Sequence, residues 1–319
     1  MMQIQMRTLP AVALCLLSVS AVRAQVVQVD AASLFEYDRD LPLLQKEEPV
    51  EDKGTYTQQK VSFLSINNHR VPAVLAMPKD KKEEKVPCVI VMHGLGGNKN
   101  QMAALFGLSL LKAGFAAIAI DAELHGDRSP EWKPQLFGKN AYTTRNMLAQ
   151  TIVDVRRTVD YLQQRPDIDP DRISYLGFSM GSILGSTACG VDKRIKAPVL
   201  CLGGGGWKTL LDSSSLPPLK EALKADPDTV KRLLGAMDSV DPVHFVSGIA
   251  PRPVLFIHGD ADKVVPPESA KLLHNAAGDP KEVMWYKGDH VPAGLELPKV
   301  LARITTWLTE HLKPKGADN

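Results

Sequence analysis

The chain has 319 residues, 44% hydrophobic and 23% charged, with 38 basic and 36 acidic side chains. This is ordinary globular composition, sufficient for one large α/β domain or two small ones. Nothing in the near balance of charge points to nucleic acid or to an anionic membrane surface as a partner.

The N-terminus departs from that composition. Arg7 precedes an apolar run from Leu9 to Val22, and Val22-Arg23-Ala24 ends it with small residues around one arginine. The pattern predicts a secretory signal peptide over 1–24, cleaved after Ala24, in a chain exported to the periplasm or beyond. The run is too short to span a bilayer, and the residue after the cut is no cysteine, which argues against a lipoprotein. Removing 1–24 removes Arg7 and Arg23 and no acid, leaving 36 side chains of each sign. Cys15 lies in the leader. Cys88, Cys189 and Cys201 remain, an odd number in apolar surroundings, and read as buried free thiols rather than a disulfide framework.

Residues 25–56 read as an irregular N-terminal extension broken by Pro42, Pro49 and Gly54, ahead of a domain over 57–319. Thr57–Ile66 and Val71–Met77 read as strands joined through Asn67-Asn68, a hairpin. Val86–Met92 is a continuous apolar strand of the kind buried in parallel sheets. A helix is expected over Met102–Ala113, ended by Gly114, then a strand over Phe115–Ile120. Residues 128–142 read as an insertion holding Trp132, Pro134 and Phe137. Thr144–Gln164 carries an apolar helical face through Met147, Ile152, Val155, Val159 and Leu162. A strand over Ala197–Leu202 precedes a long irregular segment, 203–248. Its one clear helix is capped by Asp226-Pro227 and striped by Val230, Leu233, Leu234 and Met237. Strand Val254–His258, helix Pro267–Ala277, strand Lys281–Tyr286 and helix Leu297–His311 close the chain. Alternating strands and helices predict one mostly parallel sheet with helices on both faces.

The chemistry centres on Gly177-Phe178-Ser179-Met180-Gly181. The β-prone stretch Ile173–Leu176 precedes it and a small-residue helical stretch follows. Gly-x-Ser-x-Gly between a strand and a helix predicts a nucleophile elbow, with the Ser179 hydroxyl lifted above the sheet. Glycines suit the flanks because a Cβ there would press strand against helix, and the helix N-terminus offers free N–H groups to an oxyanion. A serine needs a base and the base an orienting acid. Two later strands end in suitable groups: Val254–His258 runs into Asp260 and Asp262, and Lys281–Tyr286 runs into Asp289-His290. Ser179, an aspartate, His290 is the chain order of an α/β-hydrolase triad.

On these residues the chain resembles the dienelactone hydrolase and acetyl xylan esterase-like group of α/β-hydrolases, over roughly 60–312. The resemblance implies an α/β-hydrolase fold: a mostly parallel sheet flanked by helices, with an N-terminal hairpin and a small cap insertion. It implies that the acid is the second aspartate of His258-Gly-x-x-Asp262-x-x-Val-Pro266, hence Asp262, with Asp260 the competitor. It implies His290 as base, and oxyanion N–H donors at Met180 and at Leu95 of His93-Gly94-Leu95-Gly96-Gly97, with Gly96 an alternative. His93 would brace that loop, and His125-Gly126-Asp127 matches a family turn without assigned role.

The expected reaction is hydrolysis of small-molecule carboxylic esters through an acyl-enzyme. No cofactor and no metal is expected, because His93, His125, Asp260 and Asp262 lack a recognisable ligand spacing. The serine at the elbow differs from the cysteine of dienelactone hydrolases proper. Ser182 stands where acetyl xylan and cephalosporin deacetylases and prolyl oligopeptidases commonly have a second glycine. A prolyl oligopeptidase-like peptidase or amidase is the alternative within the fold, and a non-catalytic binding protein the alternative outside it. Residues 128–142 and 203–248 are the expected specificity segments. Trp132, Phe137, Trp207, Leu210, Leu211 and Leu216 are candidate pocket walls, and Gly203–Gly206 is a candidate hinge for a cap.

Overall fold

The computed structural model describes residues 31–80, 83–129, 136–137 and 140–312. The expected signal peptide, Cys15, Trp132 and Pro134 lie outside the described residues. Ten strands form one sheet. They are β1 (Lys46–Glu47), β2 (Glu51–Asp52), β3 (Tyr56–Leu64), β4 (Arg70–Pro78), β5 (Val86–Met92), β6 (Ala116–Ile120), β7 (Ile168–Phe178), β8 (Val199–Cys201), β9 (Val254–Gly259) and β10 (Lys281–Tyr286). The order is β1-β3-β4-β6-β5-β7-β8-β9-β10, with β2 also paired to β3. Contacts from β1 to β6 are antiparallel, and those from β6 through β5 to β10 are parallel.

The helices are α1 (Lys99–Lys112), α2 (Ala141–Gln163), α3 (Met180–Val191), α4 (Trp207–Ser213), α5 (Pro217–Ala222), α6 (Pro227–Asp238), α7 (Pro267–Ala276) and α8 (Glu296–Leu312). Successive residues of a strand face opposite sides, and the two cores show it. Ile90 and Met92 join Val155, Val159 and Leu184 of α2 and α3 on one face. Val89 and Val91 join Phe106, Leu110, Ile304 and Leu308 of α1 and α8 on the other. That is why β5 is apolar at every position. Burying each such side chain contributes about 1.5–3 kcal/mol.

Several boundaries moved for local reasons. Helix α1 starts three residues before the expected Met102 because Asn98 closes a capping box with Gln101. The hairpin turn forms as expected, with Asn67 and Asn68 at φ 55° and 59°, a region asparagine tolerates. The extension over 25–56 is not separate from the domain where it is described. Its strands β1 and β2 pair with β3, and the fully buried Phe35 packs edge-on against Phe245. The segment 203–248 contains α4 and α5 besides the expected α6. Both are too short for helical periodicity to show.

Sheet position decides where chemistry can occur. From β5 the chain passes to β6 on one side, and then through α2 to β7 on the other. The order reverses at β5, so a crevice opens beyond the carboxyl ends of β5 and β7. The loop after β5 is His93–Gly97, and the residue after β7 is Ser179.

Candidate active site

Ser179 sits between β7 and α3 with φ 54° and ψ −117°. A non-glycine residue there carries strain of about 1–3 kcal/mol, so its surroundings must hold it. Its amide donates to the Cys201 carbonyl at 2.9 Å. The flanking glycines are required by contact. A Cβ on Gly177 would lie 2.5 Å from the Gly181 carbonyl oxygen, and one on Gly181 would lie 2.6 Å from that of Met92. Tyr175 locks the crossing: its buried hydroxyl donates to the Gly181 carbonyl at 2.6 Å.

Two loops meet the serine. His290 Nε2 lies 2.9 Å from Ser179 Oγ, and His290 Nδ1 lies 2.7 Å from Asp262 Oδ2. Asp262 is buried, and its Oδ1 accepts the Val264 and Val265 amides at 2.8 and 2.9 Å. Both carboxylate oxygens are therefore engaged, one by the turn and one by the imidazole. Asp260 is exposed and accepts the Gly288 amide at 2.9 Å, so it ties the two loops together. Tyr286 secures the histidine loop by donating to the carbonyls of Asp289 and His290 at 2.7 and 2.9 Å. Asp289 in turn accepts the Lys263 and His290 amides. Sequence order separates these residues by up to 111 positions, and the parallel pairing of β9 with β10 closes the gap between the loops.

The loop after β5 approaches from the other side. A Cβ on Gly94 would come 3.2 Å from Ser179 Cβ. The Gly94 carbonyl accepts from His93 Nδ1 at 2.8 Å and from the Gly97 amide at 3.0 Å. The N–H of a trans peptide points opposite to its carbonyl, so these bonds also orient the Leu95 N–H. His93 is fully buried, and its Nε2 accepts the Ala122 amide at 3.1 Å. Burial pushes its pKa below the usual imidazole value, which suits a neutral ring bonded on both nitrogens. Met180 is the first residue of α3, where backbone N–H groups have no partner within the helix.

A model of the family described as acetyl xylan esterase (AXE1) matches residues 32–311. The chain belongs to that family. The esterase YjfP of Escherichia coli is 27% identical over 258 residues, spanning 76% of this chain and 96% of its own. The acetyl xylan esterase from Paenibacillus sp. R4 superposes with a TM-score of 0.73 at 20% identity, over 88% of this chain and 92% of that one. Acetyl xylan esterase 1 from Thermoanaerobacterium sp. JW/SL YS485 gives 0.70 at 17% identity, over 87% and 91%. This acetyl xylan esterase family member has the α/β-hydrolase fold and is a carboxylic ester hydrolase.

In this esterase a cavity of about 680 Å³ opens beside the His93–Gly97 loop, lined by Leu95, Leu124, His125, Leu136, Pro217 and Glu221 among others. Residues from both expected specificity segments reach it, but none of the described ones singled out, Phe137, Trp207, Leu210, Leu211 and Leu216, is among them. Trp207, Leu210 and Leu211 are buried in the main core, with Phe137 and Leu216 packed against it. The four-glycine run before α4 is not a free hinge. A Cβ on Gly203, Gly204 or Gly205 would fall within 2.4 Å of Ser182 Oγ, Ser269 Oγ or Val243 Cγ1. Glycine stands there for close approach, and the Ser182 side chain fills the space against Gly203.

One network was not legible in the sequence. Asp121, fully buried, accepts from the Lys99 backbone, from Lys99 Nζ at 2.7 Å and from the Asp127 amide at 2.9 Å, while Lys99 also pairs with Asp127. Arg128 bridges Asp154 at 2.6 Å and Glu123. A Cβ on Gly126 would lie 2.2 Å from the Asp121 carboxylate. The His125-Gly126-Asp127 turn is thus clamped onto the end of β6. Its partners, spread from Lys99 to Asp154, gave no local pattern. Among the described residues no cluster of three or more His, Cys, Asp or Glu is placed to hold a metal ion. Cys88, Cys189 and Cys201 are free and buried, and burial pushes all three thiols up.

Proposed function

We propose that this esterase hydrolyses carboxylic esters with Ser179 as nucleophile, His290 as general base and then acid, and Asp262 orienting the imidazole. The observation that carries the reading is the unbroken line from Ser179 Oγ to His290 Nε2 at 2.9 Å and from His290 Nδ1 to Asp262 Oδ2 at 2.7 Å. Asp262 accepts a hydrogen bond from His290 Nδ1–H and so fixes the tautomer, leaving Nε2 with the lone pair that takes the serine proton during attack on the ester carbonyl. The same proton then passes to the departing alcohol. Water repeats the cycle on the acyl-enzyme and regenerates Ser179. The Met180 and Leu95 N–H groups stabilise the oxyanion at each step, and His93 holds the Leu95 peptide in place. Helix α5 supplies Pro217, Pro218 and Glu221 to the cavity beside Leu95 and in this reading sets part of the specificity.

The test is Ser179→Ala. Its melting curve should match the wild type while turnover of a 4-nitrophenyl ester falls by about 10³-fold or more. A fluorophosphonate probe should label the wild type only; a label retained by the variant overturns the assignment. We also propose that the chain is exported and cleaved after Ala24, on the apolar run Leu9–Val22 and its small-residue end. N-terminal sequencing of the secreted or periplasmic protein should begin at Gln25, and an intact Met1 in that fraction would overturn it.

A further inference from the structure

The clamped turn after β6 presents one side chain to the cavity that the acyl-transfer machinery does not use. His125 is buried and lines the cavity beside Leu95. Its Nδ1 lies 2.9 Å from the Glu123 carbonyl oxygen. A carbonyl has no proton to give, so Nδ1 carries the hydrogen and donates it. Burial pushes the imidazole pKa below its usual value, so the ring is neutral and Nε2 is left as a lone pair. Among the described residues Nε2 has no hydrogen-bond partner, and the ring that carries it lines the cavity.

The rest of the lining sharpens what could meet it. Leu95, Leu124, Leu136, Pro217 and Pro218 offer no hydrogen-bonding side chain, while the exposed Ser129 and Glu221 add a hydroxyl and a carboxylate only at the rim. An apolar cavity with one fixed acceptor rewards a group that is compact, uncharged and carries a single donor. Resting on the esterase site described above, we propose that His125 is a specificity-determining residue whose Nε2 accepts a hydrogen bond from a substrate hydroxyl. The ionic clamp through Asp121, Lys99 and Asp127 holds the acceptor still, and the Nδ1 bond to Glu123 fixes its tautomer. A ring serving only to brace the turn would need Nδ1 alone.

Two pairs of esters matched in heavy atoms test this, one for each side of the scissile bond. They are 2-hydroxyethyl acetate against propyl acetate, and 4-nitrophenyl 3-hydroxypropanoate against 4-nitrophenyl butanoate. In at least one pair the wild type should favour the hydroxylated ester by about tenfold in kcat/KM, expressed in KM, as one uniform hydrogen bond would give. His125→Asn keeps a donor near the Nδ1 position and loses the Nε2 acceptor, so the preference should fall to parity. His125→Gln can return an acceptor near Nε2 and should recover part of it. Absence of any preference in the wild type, or a wild-type ratio retained in His125→Asn, overturns the inference. Fluorophosphonate labelling runs in parallel. If Ser179→Ala is still labelled, the nucleophile assignment fails. If the label is lost but the ratio ignores His125→Asn, only the role of His125 falls.

Discussion

His290 Nδ1 lies 2.7 Å from Asp262 Oδ2, while Asp260, two residues earlier in the same turn, faces the Gly288 amide instead. The two aspartates are chemically alike, and their placement divides orientation of the imidazole from closure of the loop. Asp262→Asn should therefore lower kcat by about 10³-fold or more, since the wrong tautomer would be favoured. Asp260→Asn should cost less than about tenfold. Steady-state kinetics on both variants decides it, and the reverse ranking would transfer the acid role to Asp260.

Gly181 is held between α3 and the end of β5. A Cβ there would lie 2.6 Å and 2.8 Å from the Met92 and His93 carbonyl oxygens. Both are backbone atoms that cannot rotate away. Gly181→Ala should destabilise the fold by about 1–3 kcal/mol and lower kcat/KM by more than about tenfold, because the loop carrying Leu95 moves with His93. Thermal melts and kinetics together check this; a variant with wild-type Tm and turnover would show that the elbow has room to spare.

His258 gives the protein an acid-side weakness. It is 2% exposed and its Nε2 has no partner. It lies against Phe256, His274 and Trp285. Burial, then the nearby His274, lowers its pKa to about 3 from 6.5. The unfolded chain thus binds a proton below pH 6.5 that the folded chain does not bind until about pH 3. Between those values stability falls as pH falls, by up to about 1.4 kcal/mol per pH unit from this one site. Urea unfolding at pH 7 and pH 5 should show a smaller difference in His258→Phe than in the wild type. An equal difference would remove His258 as its source.

The cavity and the core should respond differently to truncation. Leu136 lines the cavity, whereas Trp207 is buried in the core. Leu136→Ala should raise kcat/KM for longer esters relative to acetate, since a few methylenes in an apolar pocket are worth about 1–3 kcal/mol each. Trp207→Ala should lower stability by about 3–5 kcal/mol and leave the chain-length ratio unchanged. The opposite pattern would return Trp207 to the pocket wall.

The sequence by itself determined the order of the strands and helices from β3 onward except α4 and α5, the elbow at Ser179 and the loop that carries His290. Those features are written locally: unbroken apolar runs such as Val86–Met92, glycines where no Cβ fits, and a loop opening immediately after a strand. Tertiary structure decided what depends on residues far apart. Whether Asp260 or Asp262 meets the imidazole depends on how two loops from β9 and β10 close on each other. That Phe35 and the strands β1 and β2 belong to the domain depends on partners at Phe245 and along β3. The set Lys99, Asp121, Asp127, Arg128 and Asp154, in which only Asp127 is exposed, has no periodicity, because its members are joined only where α1, the end of β6 and α2 meet. Local propensity governs where the backbone bends and which face is apolar. Which charges can be buried is governed by partners brought from elsewhere in the chain, and those become visible only once it has folded.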